Sequence, residues 1–134
     1  MKGLLVRLRF SAFIPIALFA GAACGGDFDG SKPLICAPVQ AMDCTSDEGC
    51  TKGTPEEIGA PAFLRIDVTK KTVAGSKRTS PIELSDLDAN RLLLRGMELG
   101  YGWTVAIDQS TGKAVFTLTD HEGAFILFGA CTVP

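Results

Sequence analysis

Residues 103–119 read Trp103-Thr104-Val105-Ala106-Ile107-Asp108, then Gln109-Ser110-Thr111-Gly112, then Lys113-Ala114-Val115-Phe116-Thr117-Leu118-Thr119. In a two-residue period Trp103, Val105 and Ile107 share one face. Phe116 and Leu118 likewise lie opposite Val115, Thr117 and Thr119. Strands that bury one face need this alternation, because successive side chains point to opposite sides of a sheet. Asp108 and Gly112 bracket a short connection of the kind that joins paired strands. The stretch predicts an antiparallel hairpin.

The same reading extends outward in both directions. Asp120-His121-Glu122-Gly123 is a turn, and Phe125-Ile126-Leu127-Phe128 is an unbroken apolar run, which predicts a central strand or one buried on both faces. Upstream, Leu92-Leu93-Leu94-Arg95-Gly96-Met97-Glu98-Leu99 supplies another apolar stretch. Residues 85–95 fit either a helix with Ser85 as its N-cap and Gly96 as its stop, or strand, turn at Asp88-Ala89-Asn90, strand. The surrounding meander favours the second, since neighbouring strands on short connections tend to pair. Ile82 and Leu84 alternate with Glu83 and Ser85, Gly75 to Arg78 break the pattern, and Val73 marks a short strand. Phe63 to Val68 make a half-buried strand, residues 51–61 a polar loop with two prolines, and Leu34 to Val39 a first strand. The expectation is an all-β domain, a small antiparallel meander of seven to eight strands forming an up-and-down barrel or a sandwich. Pairing the first strand with the last would close a barrel and remove both edges.

The chain has 134 residues, enough for one compact domain. Its 13 Lys and Arg stand against 15 Asp and Glu, which argues against a nucleic-acid binder. One histidine leaves no room for chemistry that needs several. Lys2, Arg7 and Arg9 precede an apolar run, Phe10 to Ala20, followed by Gly21-Ala22-Ala23: the layout of an export signal. That run is too short for a comfortable bilayer span of roughly 20 residues. Two processing routes fit. Ala20-Gly21-Ala22 suits ordinary secretion, and Gly21-Ala22-Ala23-Cys24 resembles a bacterial lipobox, although Gly21 stands where a large apolar residue is usual. On the second route residues 1–23 are the signal, Cys24 is the lipid anchor, and residues 24–33 are a flexible tether to a single domain at 34–134. Gly25, rather than Asp, after the cysteine favours the outer membrane.

The five cysteines are an odd number, and a disulfide framework uses them in pairs. If Cys24 is acylated, Cys36, Cys44, Cys50 and Cys131 remain, in an oxidising compartment. Three connectivities are possible. Local closure of Cys44 with Cys50, inside the turn-rich Asp43 to Cys50 segment, would leave Cys36 to tie the start of the domain to Cys131 at its end. A zinc site is disfavoured, since no CxxC occurs and His121 stands alone. No metal and no cofactor are expected.

Residues Leu94-Arg95-Gly96-Met97-Glu98, Gly100-Tyr101-Gly102-Trp103, Ile107-Asp108 with Thr111-Gly112-Lys113, Gly123-Ala124-Phe125 and Phe128-Gly129-Ala130-Cys131-Thr132 resemble a family of short, uncharacterised exported bacterial proteins and lipoproteins. Asp43-Cys44 and Gly49-Cys50 also fit, so the likeness spans Cys36 to Thr132. It implies a β-meander with a terminal cysteine and implies no activity. A weaker analogy, of fold only, is to small lipoprotein barrels that inhibit lysozyme; their inhibitory loop is not recognisable here.

The remaining motifs read more simply as structure than as chemistry. His121 lies in a turn beside two carboxylates, without a nucleophile that sequence can place. Asp86-Leu87-Asp88-Ala89-Asn90 copies the start of a calcium loop, but Arg91 stands at its glycine and Met97 at its closing glutamate. Glu56 and Glu57 are adjacent, whereas paired catalytic carboxylates face each other across a cleft. Tyr101 and Trp103 could offer an exposed contact to a protein or glycan, or Trp103 could plug one end of the core. These readings together predict a non-enzymatic binding or envelope interaction module held on a membrane. The alternatives are a secreted enzyme inhibitor, or a carrier with an apolar ligand in the barrel interior.

Overall fold

The computed structural model describes residues 27–134. The fold is all-β, with ten strands: β1 (Leu34–Thr45), β2 (Gly49–Gly53), β3 (Leu64–Asp67), β4 (Thr72–Ala74), β5 (Thr79–Pro81), β6 (Leu84–Leu87), β7 (Arg91–Glu98), β8 (Tyr101–Asp108), β9 (Lys113–Thr119) and β10 (Gly123–Thr132). One short 3₁₀ turn, Glu56–Ile58, interrupts them. The strands make one curled antiparallel sheet, a half-barrel, in the order β5-β4-β3-β1-β10-β9-β8-β7-β6, with β2 paired to β1.

The hairpin at 103–119 forms as its alternation predicts. Trp103 faces Leu118, Val105 faces Phe116, and Ile107 faces Ala114, all on the inner side. Residues 85–95 are strand, turn, strand. The apolar run of β10 is central, lying between β1 and β9. It is not buried on both faces, however, because Phe128 points outward and is exposed.

Two expectations need correction. The strand count is ten rather than seven or eight. β1 runs past Val39 to Thr45, across a bulge at Pro38 to Gln40, and returns as β2 through residues read as loop. β2 is Gly-Cys-Thr-Lys-Gly and carries no apolar alternation, so only its ladder and its cysteine mark it as a strand. The residues around Ile82 also divide into β5 and β6. The second correction concerns closure. β1 does pair with β10, but that pair lies in the middle of the sheet. The two end strands are β5 and β6, neighbours in the chain. Between them Ile82 N–H donates to the Lys71 carbonyl at 2.8 Å, and Glu83 N–H donates to the Arg95 carbonyl at 2.9 Å. Two successive residues thus bond to opposite ends of the sheet and draw its edges together.

Inner side chains stack in layers. Leu94, Val105, Phe116, Leu127 and Ala41 are successive cross-strand neighbours and all are buried. Leu92 and Ile107 form the layer below, and Gly96 and Trp103 the layer above. Burying each large aliphatic or aromatic side chain contributes about 1.5–3 kcal/mol before entropy is counted. Gly96 sits in contact with the Trp103 indole, and a Cβ there would also come within 2.5 Å of the Pro81 carbonyl oxygen. The widest side chain of the core therefore needs the smallest residue opposite it.

Both disulfides join residues directly opposite in register: Cys36 with Cys131 across β1 and β10, and Cys44 with Cys50 across β1 and β2. The first closes a loop of 95 residues and is buried; the second closes one of 6 at an accessible hairpin.

Candidate functional site

Strand polarity divides the sheet into two ends. At one end lie the start of β1, the β6–β7 loop, the β8–β9 loop and the end of β10, and residues 27–33 enter here. The expectation for these residues is a flexible tether; Asp27 and Ser31 to Pro33 are exposed, but Phe28 and Gly30 between them pack against the domain. Phe28 packs on the core, and Gly30 is buried with Val68 and Leu92 as its neighbours. Gly30 has φ +84°, a backbone conformation that favours glycine. Gly112, at φ +72°, sits so close to the Phe28 ring that a Cβ would come within 2.7 Å of it. The Gly112 carbonyl accepts from the Cys131 N–H at 2.7 Å, which ties this contact to the buried disulfide. Cys24, the predicted lipid anchor, lies outside the described residues.

The two loops at this end interlock. Gln109 is buried; its backbone N–H donates to the Asn90 carbonyl at 2.9 Å, and its side-chain amide donates to the Asp88 carbonyl. Asp108 accepts from the backbone N–H and the hydroxyl of both Ser110 and Thr111 at 2.7–3.0 Å. These donors, the Ser110 hydroxyl first, pull its pKa from 3.8 to about 2. Asp88 is held low by the N–H groups of Asn90 and Arg91, and Asp29 by Ser31. The calcium-loop look-alike is thus a turn. Arg91 reaches Asp86 at 3.7 Å and Asp88 at 3.3 Å, and occupies both carboxylates.

The opposite end carries the β1–β2 hairpin, the β7–β8 turn and the β9–β10 turn. Tyr101 is half-buried there, its ring 6.2 Å from that of Phe125. The Asp120 carboxylate beside it raises its hydroxyl pKa above the ordinary value. Asp120 is itself held low by the N–H groups of Glu122 and Gly123. Trp103 is no surface contact. It is 7% exposed, and its Nε1–H donates to the Ser80 hydroxyl at 2.9 Å, which in turn donates to the Met97 carbonyl at 3.2 Å. Spacing alone left both readings of Trp103 open; burial against Gly96 gives it to the core.

The candidate chemical groups are not brought together. His121 projects into solvent, 3.7 Å from Glu122. Glu57 accepts from the Thr54 N–H at 2.7 Å and so pins its own loop. Among the described residues no three His, Cys, Asp or Glu side chains are grouped to hold a metal ion. No helix among them is long and apolar enough to cross a membrane.

One feature was missed by the sequence reading: a groove of about 720 Å³ on the outer face of β1, β10, β9 and β8. Val39, Ala106, Val115, Phe128 and Ala130 line it, with Lys113, Asp108 and Arg91 where it meets the end that carries Phe28. The signal was present in the sequence. Val115 sits between the inward Ala114 and Phe116, and Phe128 follows the inward Leu127, so both are apolar residues at outward positions.

No protein-family model, curated protein or solved structure matches the chain, so its resemblance to exported bacterial proteins rests on the quoted residues alone.

Proposed function

We propose that the chain is an exported bacterial lipoprotein, anchored through Cys24 to the outer membrane, whose β-domain is a non-enzymatic binding or envelope interaction module. The observation that carries this reading is the division of the cysteines. Cys36 pairs with Cys131 and Cys44 with Cys50, so the four cysteines of the described residues are used up among themselves, and the fifth in the sequence, Cys24, is not needed for either bridge. Two disulfides suit an oxidising compartment. A small residue run ahead of Cys24, after a basic start and an apolar stretch, suits lipoprotein processing. The interior is filled by Leu34, Ile66, Leu92, Leu94 and Ile107, all essentially inaccessible, and this takes support away from a carrier with an internal ligand.

Metabolic labelling with palmitate, followed by membrane fractionation, tests the proposal. The wild-type chain is expected to carry label and to sediment with membranes, while Cys24→Ala carries none and is released. Equal behaviour of the two chains would refute it.

A further inference from the structure

We infer that the end of the sheet bearing Phe28, together with the outer apolar groove that begins there, rests on a lipid bilayer, with the opposite rim facing away. The inference depends on the lipoprotein reading above and adds an orientation to it. Its first support is chain length. Because Phe28 and Gly30 are packed into the domain, the slack between anchor and domain is not the ten residues of the expected tether but the three steps from Cys24 to Asp27. At full extension these span about 11 Å, with roughly 3.6 Å for each residue. An acyl-bearing Cys24 at the bilayer surface would therefore hold this end within one or two side-chain lengths of the headgroups.

The second support is what that end presents. Val39 is 73% and Phe128 41% exposed, and both line the groove with Val115. The three side chains line one groove rather than standing singly on separate parts of the surface. Lys113 stands at the groove's edge next to the Gly112–Phe28 contact; Asp108 shares that edge, but its carboxylate is taken up by the Ser110 and Thr111 donors, so the Lys113 ammonium can meet a lipid phosphate while the apolar row enters the boundary between headgroups and acyl chains. The opposite rim also exposes apolar side chains, Leu99 at 67% and Met97 at 51%. They lie at the far end of the strands from Asp27, so the short reach that favours the groove works against them.

The test uses the full chain purified from membranes and reconstituted into vesicles of phosphatidylethanolamine and phosphatidylglycerol that contain a brominated lipid. Val115→Trp is compared with Leu99→Trp, and Phe128→Trp serves as a second groove reporter should the first fold poorly. Buried Trp103 gives the same background in each. Groove reporters inserted about 5–10 Å into the boundary region should be quenched at least about threefold more than Leu99→Trp. Acylated Cys24 with equal, weak quenching at both sites would overturn the orientation and leave the lipoprotein reading standing. Absence of the acyl group would overturn both. Groove emission that shifts to the blue with protein concentration in lipid-free solution, with no quenching in vesicles, would assign the groove to a second copy of the chain and overturn the bilayer assignment.

Discussion

The two ends of the sheet are built differently. At the end that receives the chain, contacts join residues far apart in sequence: Cys36 with Cys131, Phe28 with Gly112, and Gly30 with Val68 and Leu92. At the opposite rim the covalent closure and the turn bonds are local: Cys44 with Cys50, Asp120 with the amides of Glu122 and Gly123, and a β2 strand exposed along nearly its whole length. Long-range closure at one end holds the fold together against a large entropy. Local closure at the other holds only a hairpin. The long-range closure lies at the end where residues 27–33 enter the sheet.

The largest expected effect comes from removing the long closure. In the chain-entropy account, replacing Cys36 and Cys131 together by Ala costs about 4–5 kcal/mol, because the loop spans 95 residues. Urea unfolding checks this, and a loss no greater than that for the short bridge would break the comparison. Next is Gly96→Ala, on the rim side, where the added methyl meets the Trp103 indole and the Pro81 carbonyl. Overpacking at a site this tight should cost about 3 kcal/mol and shift Trp103 fluorescence. An unchanged midpoint would mean that the layer is looser than its geometry. Replacing Cys44 and Cys50 together should cost only about 2 kcal/mol, since the closed loop is short, and should leave exchange of the β10 amides unaltered.

The smallest effect is on pH. Asp29, Asp88 and Asp108 lie at the end where the chain enters and Asp120 at the opposite rim, and all four carboxylates have lowered pKa values. A lowered folded pKa means that the unfolded chain binds more protons. The stability these turns contribute is therefore complete above about pH 4 and is lost as pH falls through 3.8 toward about 2 for Asp108. Thermal melts across that range should show the midpoint falling, and Asp108→Asn should flatten part of the fall. A midpoint independent of pH would contradict the role given to these turns.

Much of this fold was legible because its burial is one-sided. Trp103, Val105, Ile107, Phe116 and Leu118 announce their faces by alternation, and the turn at Asp108 to Gly112 by its composition. β2 was not legible, because an exposed strand held by backbone bonds and one disulfide has no hydrophobic pattern to read. The packing of Phe28 was hidden for a related reason. A single aromatic among Gly, Asp and Ser has tether composition, and only its distant partner Gly112 gives it a place. The groove was legible only in pieces: Val115 and Phe128 stand at outward positions, but that the outward residues of four strands meet depends on a register a sequence does not display.

The central claim is the proposed division of the five cysteines into two bridges and one lipid anchor. The intact mass of the chain isolated from membranes without reduction, with peptide mapping of its cysteines, tests that division most directly. The expected result is Cys24 at the mature N-terminus carrying acyl chains, Cys36 linked to Cys131 and Cys44 linked to Cys50. An unacylated Cys24, either as a free thiol or bridged to one of the other four, would contradict it.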